Sequence, residues 1–275
     1  CLVVHGDYID CARIRRVVGG QPLEVGSWPW LVSLNYRQHH DYLVLQGLQH
    51  LCGGTLINES WILTAAHCVY SIPAYPGLGE SQNWIAVLGE YNRGIPEQTE
   101  QRIEIDQIFL KNYTIFPRLL EDIALLKLKR PAHISSSVRS VALDMARTIP
   151  NGTRCRAAGW GQHTADEPGE PQYGNGTMIP HVVVVQRIPD QTCLSLYGQT
   201  WPAIDDRSMC FSSEDRQDTC KGDSGGPLIC DIPGGQPAIT GIVSLGVGCG
   251  MTNYPGIYTR VSSYSDWIAW TIANF

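Results

Sequence analysis

Short apolar runs alternate with polar breaks rich in Gly, Pro, Asn and Asp along most of the chain. The runs at 30–34, 84–88, 123–128, 181–185 and 239–245 are strand-length and rich in Val, Ile, Leu and Trp. Helical periodicity is scarce. One stretch, 264–273, offers it, with Trp267, Ile268 and Trp270 to bury. No repeat of solenoid or propeller period occurs. The pattern predicts an all-β fold, barrel or sandwich, whose loops bring together residues remote in sequence. Residues 1–16 stand apart, with Cys1, Cys11 and a basic run ending in Arg15-Arg16.

Composition narrows the setting. The 275 residues suit one large domain or two small ones, and 43% are apolar, enough for a substantial core. A net charge of -6 gives no nucleic-acid footprint. No apolar run approaches the length of a bilayer span. Ten cysteines are dispersed, without CxxC pairs or zinc-ligand spacing, and read as disulfides made in an oxidising compartment. Asn58, Asn112, Asn151 and Asn175 each head an N-x-S/T glycosylation sequon. Together these features predict a secreted, extracellular glycoprotein.

Three short motifs carry chemistry. In Gly222-Asp223-Ser224-Gly225-Gly226-Pro227, glycines flank a serine, allowing positive φ and close approach of a substrate. The Gly222 and Ser224 amides could converge on one oxyanion. An isolated Gly-Ser-Gly is usually a glycine-rich surface turn, a reading that must here also account for the other motifs. His67 lies in Thr64-Ala65-Ala66-His67-Cys68, where a lone histidine beside a cysteine is usually structural. Asp122 heads the apolar run 123–128, where a carboxylate needs partners or serves as a cap.

Taken together, the order His67, Asp122, Ser224 resembles that of the trypsin-like (chymotrypsin-fold) serine proteases. The likeness runs from Val17 to the end of the chain and includes Val17-Val18-Gly19-Gly20, Gly159-Trp160-Gly161 and Tyr258-Thr259-Arg260-Val261. It implies two packed antiparallel six-stranded β-barrels with a C-terminal α-helix. Residues 1–16 would be a propeptide and 17–275 the peptidase domain. The barrels would occupy about 30–135 and 136–262, and the helix about 263–275. The implied roles are nucleophile for Ser224, general base for His67, orienting acid for Asp122, and oxyanion hole for the amides of Gly222 and Ser224.

The resemblance also implies specificity and activation. Asp218 falls at the floor of the primary pocket, selecting Arg or Lys. Ser244, Gly246 and Gly256 fall on its walls, with Tyr197 and Tyr258 as supports. Leu245 replaces a usual Trp, and Lys221 stands at the pocket mouth. Pro255 stands where sodium-regulated relatives carry Tyr, so no sodium effect is expected. Cleavage of Arg16-Val17 would free an amine to pair with Asp223, with a furin-like convertase or the enzyme itself as activator. The implied disulfides are Cys52–Cys68, Cys155–Cys230, Cys193–Cys210 and Cys220–Cys249, leaving Cys1–Cys11 for the propeptide.

Catalysis would need no cofactor. Glu90, Asn92, Ile95, Glu97 and Glu100 fall on the family's structural calcium loop, the alternative being a solvated acidic loop. Extended loops at 34–52 and 68–84 border the cleft and favour a selective processing protease over a digestive one. Expected partners are protein substrates with Arg or Lys at the cut and serine protease inhibitors, with the protein a monomer. The competing function is a catalytically silent homologue acting as a binding module. A metal-dependent hydrolase lacks the ligand cluster it would need.

Overall fold

The computed structural model describes residues 20–37, 48–73, 75–114, 121–145, 149–161, 176–197, 204–213, 219, 222–230, 236–246 and 254–275. The first barrel is built from β2 (Leu31–Arg37), β3 (Leu48–Asn58), β4 (Trp61–Thr64), β5 (Trp84–Leu88), β6 (Gln101–Leu110) and β7 (Ala124–Leu128). It closes in the order β2-β3-β4-β7-β6-β5. The second uses β9 (Arg154–Gly159), β10 (His181–Arg187), β11 (Ser208–Ser212), β12 (Pro227–Cys230), β13 (Ala238–Leu245) and β14 (Gly256–Arg260). It closes because β10 pairs with both β11 and β9. Two-residue strands β1 (Gln21–Pro22) and β8 (Ala142–Leu143) add to its rim on β10 and β13.

Alternation explains the paler strands. In β6, Ile103 and Ile105 point inward while Arg102 and Asp106 stay outside. Strands such as β5 and β12 are buried along their whole length, so they read as continuous apolar runs. One apolar cluster fills the first barrel and continues through Ile229, Ile239 and Ile242 of the second to Ile268. A separate cluster around Phe211, Leu228 and Tyr258 fills the second barrel. The barrels therefore share a dry seam, and loops from both meet along it.

Helix α2 (Ser265–Asn274) lies where the periodicity predicts, but its buried face differs. Ile268 and Thr271 are buried and Trp267 packs against the core, whereas Trp270 is 58% exposed. Trp270 is two residues from Ile268, about 200° around the helix, so both cannot face inward. It packs instead on Phe275, ring centroids 5.9 Å apart. A second helix, α1 (Asp190–Tyr197), was not expected from periodicity. Its buried residues are Cys193 and Tyr197, tied to β11 by the Cys193–Cys210 disulfide.

Candidate active site

His67 sits in a single 3-10 turn, Ala66–Cys68, directly after β4. The Cys52–Cys68 disulfide ties that turn to β3. Asp122 precedes β7, the neighbour of β4 in the barrel. The His67 backbone N–H donates to Asp122 Oδ1 at 2.9 Å, and Nδ1 lies 2.9 Å from Oδ2. A carboxylate only accepts, so Nδ1 carries the proton and leaves Nε2 free to act as a base. Ser244 Oγ of β13 also donates to Oδ2, and Thr259 Oγ1 of β14 donates to the Asp122 carbonyl at 2.8 Å. The second barrel thus grips an acid supplied by the first.

These contacts set the ionisation. Burial alone would raise the Asp122 pKa, but the His67 charge and hydrogen bonds from His67 and Ser244 hold it below its usual value. Burial pushes His67 down, and Asp122's charge and hydrogen bond outweigh that, leaving the imidazole above its usual 6.5.

The Ser224 turn packs against β3 across the seam. Gly53 N–H donates to the Ser224 carbonyl at 2.7 Å. Gly225 has φ +79°, and a Cβ there would lie 2.1 Å from Thr64 Oγ1. Gly222 has φ +98°. The glycines therefore supply both positive φ and close approach. The Gly222 and Ser224 amides donate to no other described residue, which leaves two donors unspent beside the serine. Ser224 Oγ likewise makes no hydrogen bond to His67 or to any other described residue. In enzymes of this chemistry such bonds often close only around substrate.

The arrangement matches known proteins. The Trypsin family model covers residues 17–268. The chain belongs to the trypsin family. It is 34% identical over 261 residues to "Transmembrane protease serine 9" of Rattus norvegicus, covering 94% of this chain and 22% of that protein. It is 37% identical over 264 residues to "Suppressor of tumorigenicity 14 protein homolog" of Bos taurus, covering 93% of this chain and 28% of the other. The chain thus spans only about a quarter of these relatives. Among solved structures, neuropsin, described as a serine protease expressed in the limbic system of mouse brain, superposes with TM-score 0.74 at 29% identity. That match covers 92% of this chain and 98% of neuropsin. Family and fold are those of the trypsin-like serine proteases, a class that needs no cofactor for catalysis.

Around this centre the trypsin-family chain places the remaining candidates as follows. Ser244 is buried at the end of β13, Gly246 is exposed just beyond it, and Gly256 is buried at the start of β14. Tyr197 donates its hydroxyl to the Pro255 carbonyl, bracing the residue before Gly256. The Tyr258 hydroxyl lies 3.2 Å from Thr219 Oγ1. Asp223 accepts the Gly161 N–H at 2.8 Å. Arg16, Val17, Asp218, Lys221, Cys1, Cys11, Cys220, Cys249 and Asn175 lie outside the described residues. Of the proposed disulfides, Cys52–Cys68, Cys155–Cys230 and Cys193–Cys210 are present. Among the sequons, Asn112 and Asn151 are exposed, and Asn58 is partly buried with its Oδ1 bound to Ser60 N–H.

Sequence reasoning missed His50. It is buried on β3, with Nε2 3.0 Å from the Gly222 carbonyl and Nδ1 2.8 Å from Ser33 Oγ. Burial, with Arg93's charge adding, pushes its pKa down to about 3. A neutral imidazole thus supports the turn that carries Ser224. No sequence signal separates it from its neighbours His39 and His40.

In the acidic loop, burial pushes the Glu90 carboxyl up and Glu100's charge adds to that, against Arg93 and Arg102. Its Oε2 is buried with no hydrogen-bond partner. Oxygen donors under mutual repulsion suit calcium, and Glu90 fits that ion, whereas Glu100 already accepts the Glu97 N–H on Oε1 at 2.9 Å and pairs with Arg102 through Oε2 at 3.1 Å. Glu97 fits less well, because its Oε2 already accepts the Tyr91 and Asn92 amides at 2.6 and 2.9 Å. The only described cluster of potential metal ligands is Cys52, His67 and Cys68, whose sulfurs are spent in a disulfide.

Proposed function

We propose that this protein is an endopeptidase that cuts after Arg or Lys, using Ser224 as nucleophile, His67 as general base and Asp122 to orient it. The observation that carries the reading is the His67–Asp122 pair, bonded twice at 2.9 Å, with His67 in the turn directly after Thr64 and Ala65, on which the glycine-lined serine turn packs. His67 would take the Ser224 proton as Oγ attacks the peptide carbonyl. The oxyanion would settle on the Gly222 and Ser224 amides, and His67 would return the proton to the leaving amine. Asp218 supplies the specificity. It adjoins Thr219 in sequence, whose Oγ1 lies 3.2 Å from the hydroxyl of buried Tyr258, and a carboxylate there would select a long cationic side chain.

The chain is made as a zymogen cut at Arg16-Val17, by a furin-like convertase or by itself, and Asp223 receives the new amine. It works outside the cell as a glycoprotein and a monomer, regulated by serine protease inhibitors. No helix among the described residues is long and apolar enough to cross a membrane. The extended loops favour selective processing over digestion. The test is to cut the chain at Arg16, assay an Arg-ended chromogenic peptide and label Ser224 with a fluorophosphonate. Turnover with labelling is expected, whereas neither would establish the silent binding module instead.

A further inference from the structure

The residue before Asp122 is held in an unusual way. Glu121 has φ +59°, and Asn112 is the one other described non-glycine residue with positive φ. The left-handed conformation costs an ordinary L-residue about 1–2 kcal/mol, so its surroundings must impose it. The Glu121 carbonyl accepts the Ile123 N–H at 2.7 Å, closing a three-residue turn with Asp122 at its centre. The direction in which Asp122 points therefore follows from the conformation of Glu121.

The side chain explains what imposes it. Glu121 Oε1 pairs with Arg207, and the Glu121 side chain is only 16% exposed. Arg207 is itself fixed: its Nε and a terminal nitrogen both reach Asp205 Oδ2, and its backbone N–H donates to Asp205 Oδ1 at 2.9 Å. Its carbonyl accepts the Arg260 N–H at 2.8 Å, which registers it on β14 beside Thr259. Tyr264 adds a hydrogen bond to Glu121, and burial with Glu121's charge drives its phenol pKa up. Glu121 comes from the first barrel, while Arg207, Asp205 and Tyr264 come from the second or its C-terminal extension.

We propose that the Glu121–Arg207 ion pair is a positioning device that holds the turn carrying Asp122 in register with His67. It rests on Asp122 being the orienting acid. An isolated surface pair would be worth little. This one lines a small cavity of about 20 Å³ together with Asp122 and Ser244, and it opposes a conformational penalty next to a reacting group. Losing it lets the turn relax and misaims the carboxylate without touching the substrate pocket.

The test uses the cut enzyme and an Arg-ended chromogenic peptide. Arg207→Gln and Glu121→Ala should each lower kcat by about ten-fold or more, with KM within about two-fold. Glu121→Gln carries the same expectation should Arg207→Gln fail to fold. Glu121→Gly adopts a left-handed conformation unaided. It should recover most of the kcat lost in Glu121→Ala, and adding Arg207→Gln to it should cost nothing more. Unchanged kcat in the first variants overturns the proposal, as does a Gly variant as poor as the Ala variant or a further loss in the double. Asp122→Asn separates this from failure of the underlying reading: full activity there would remove Asp122 from the mechanism altogether.

Discussion

With His67 as the proposed base, only its neutral form would accept the Ser224 proton, so the acid side of the pH profile would report its pKa. Asp122 raises that pKa above 6.5 despite burial. The kcat/KM of the cut enzyme should therefore rise with pH through a midpoint above 6.5, and a midpoint at or below 6.5 would contradict the pairing. Asp122 also fixes the tautomer, because its oxygens accept from Nδ1 and from the His67 backbone. Asp122→Asn can present an N–H where Nδ1–H must donate, so kcat should fall on the order of 10⁴-fold with little change in melting temperature. The triad candidates were legible in sequence through their order and the family resemblance, since His67 and Asp122 taken singly read as structural. His50 was not, because its importance comes from burial and from the Gly222 carbonyl it meets.

At the scale of elements, the strand-length apolar runs were legible because buried strands need no alternation to be recognised. Helix α1 was not legible: its eight residues carry no apolar stripe, and Leu194 and Leu196 face solvent at 42% and 38% exposure. A disulfide and one tyrosine hold it, and neither follows a helical period. The Ser224 turn gives a sharper case, since motif glycines predicted close approach and the neighbours now show what they approach. Gly225→Ala would add both strain at φ +79° and a clash with Thr64 Oγ1 and the Gly53 carbonyl. A loss of at least about 2–3 kcal/mol and of activity is expected, read by denaturant melts and peptide turnover. Beside that turn, His50 makes β3 acid-sensitive. Its folded pKa of about 3 lies below the ordinary 6.5, so the unfolded chain binds the proton more readily. The contribution is fully present above pH 6.5 and drains away as pH falls toward 3, up to on the order of 4–5 kcal/mol. Melting temperature should drop between pH 6.5 and 4, and His50→Gln should flatten that drop. An unchanged slope would place the acid sensitivity elsewhere.

Across the whole molecule, Asp122 and the Ser224 turn are each held by the barrel that does not supply them. Asp122 leaves the first barrel and is gripped by Ser244 and Thr259 of the second, while the Ser224 carbonyl is held by Gly53 of the first. A site assembled on such a seam is sensitive to any change in how the seam closes, which gives a cut far away in sequence its leverage. Asp223 faces Gly161 and sits one residue from each oxyanion amide, so a cation arriving there would order both. In the proposed activation, an α-amine would supply that cation only after Arg16-Val17 is cut and only while protonated. The expected gain on cutting is on the order of 10²–10³ in kcat/KM, comparable to restoring an oxyanion donor. The proposed gain needs a protonated amine, so it should be held at lower pH and lost at alkaline pH. Arg16→Gln should stay uncut and silent, and Asp223→Asn should be cut yet remain silent. Peptide turnover by an uncut Arg16→Gln chain at the rate of the cut enzyme would show instead that the seam closes without the new amine.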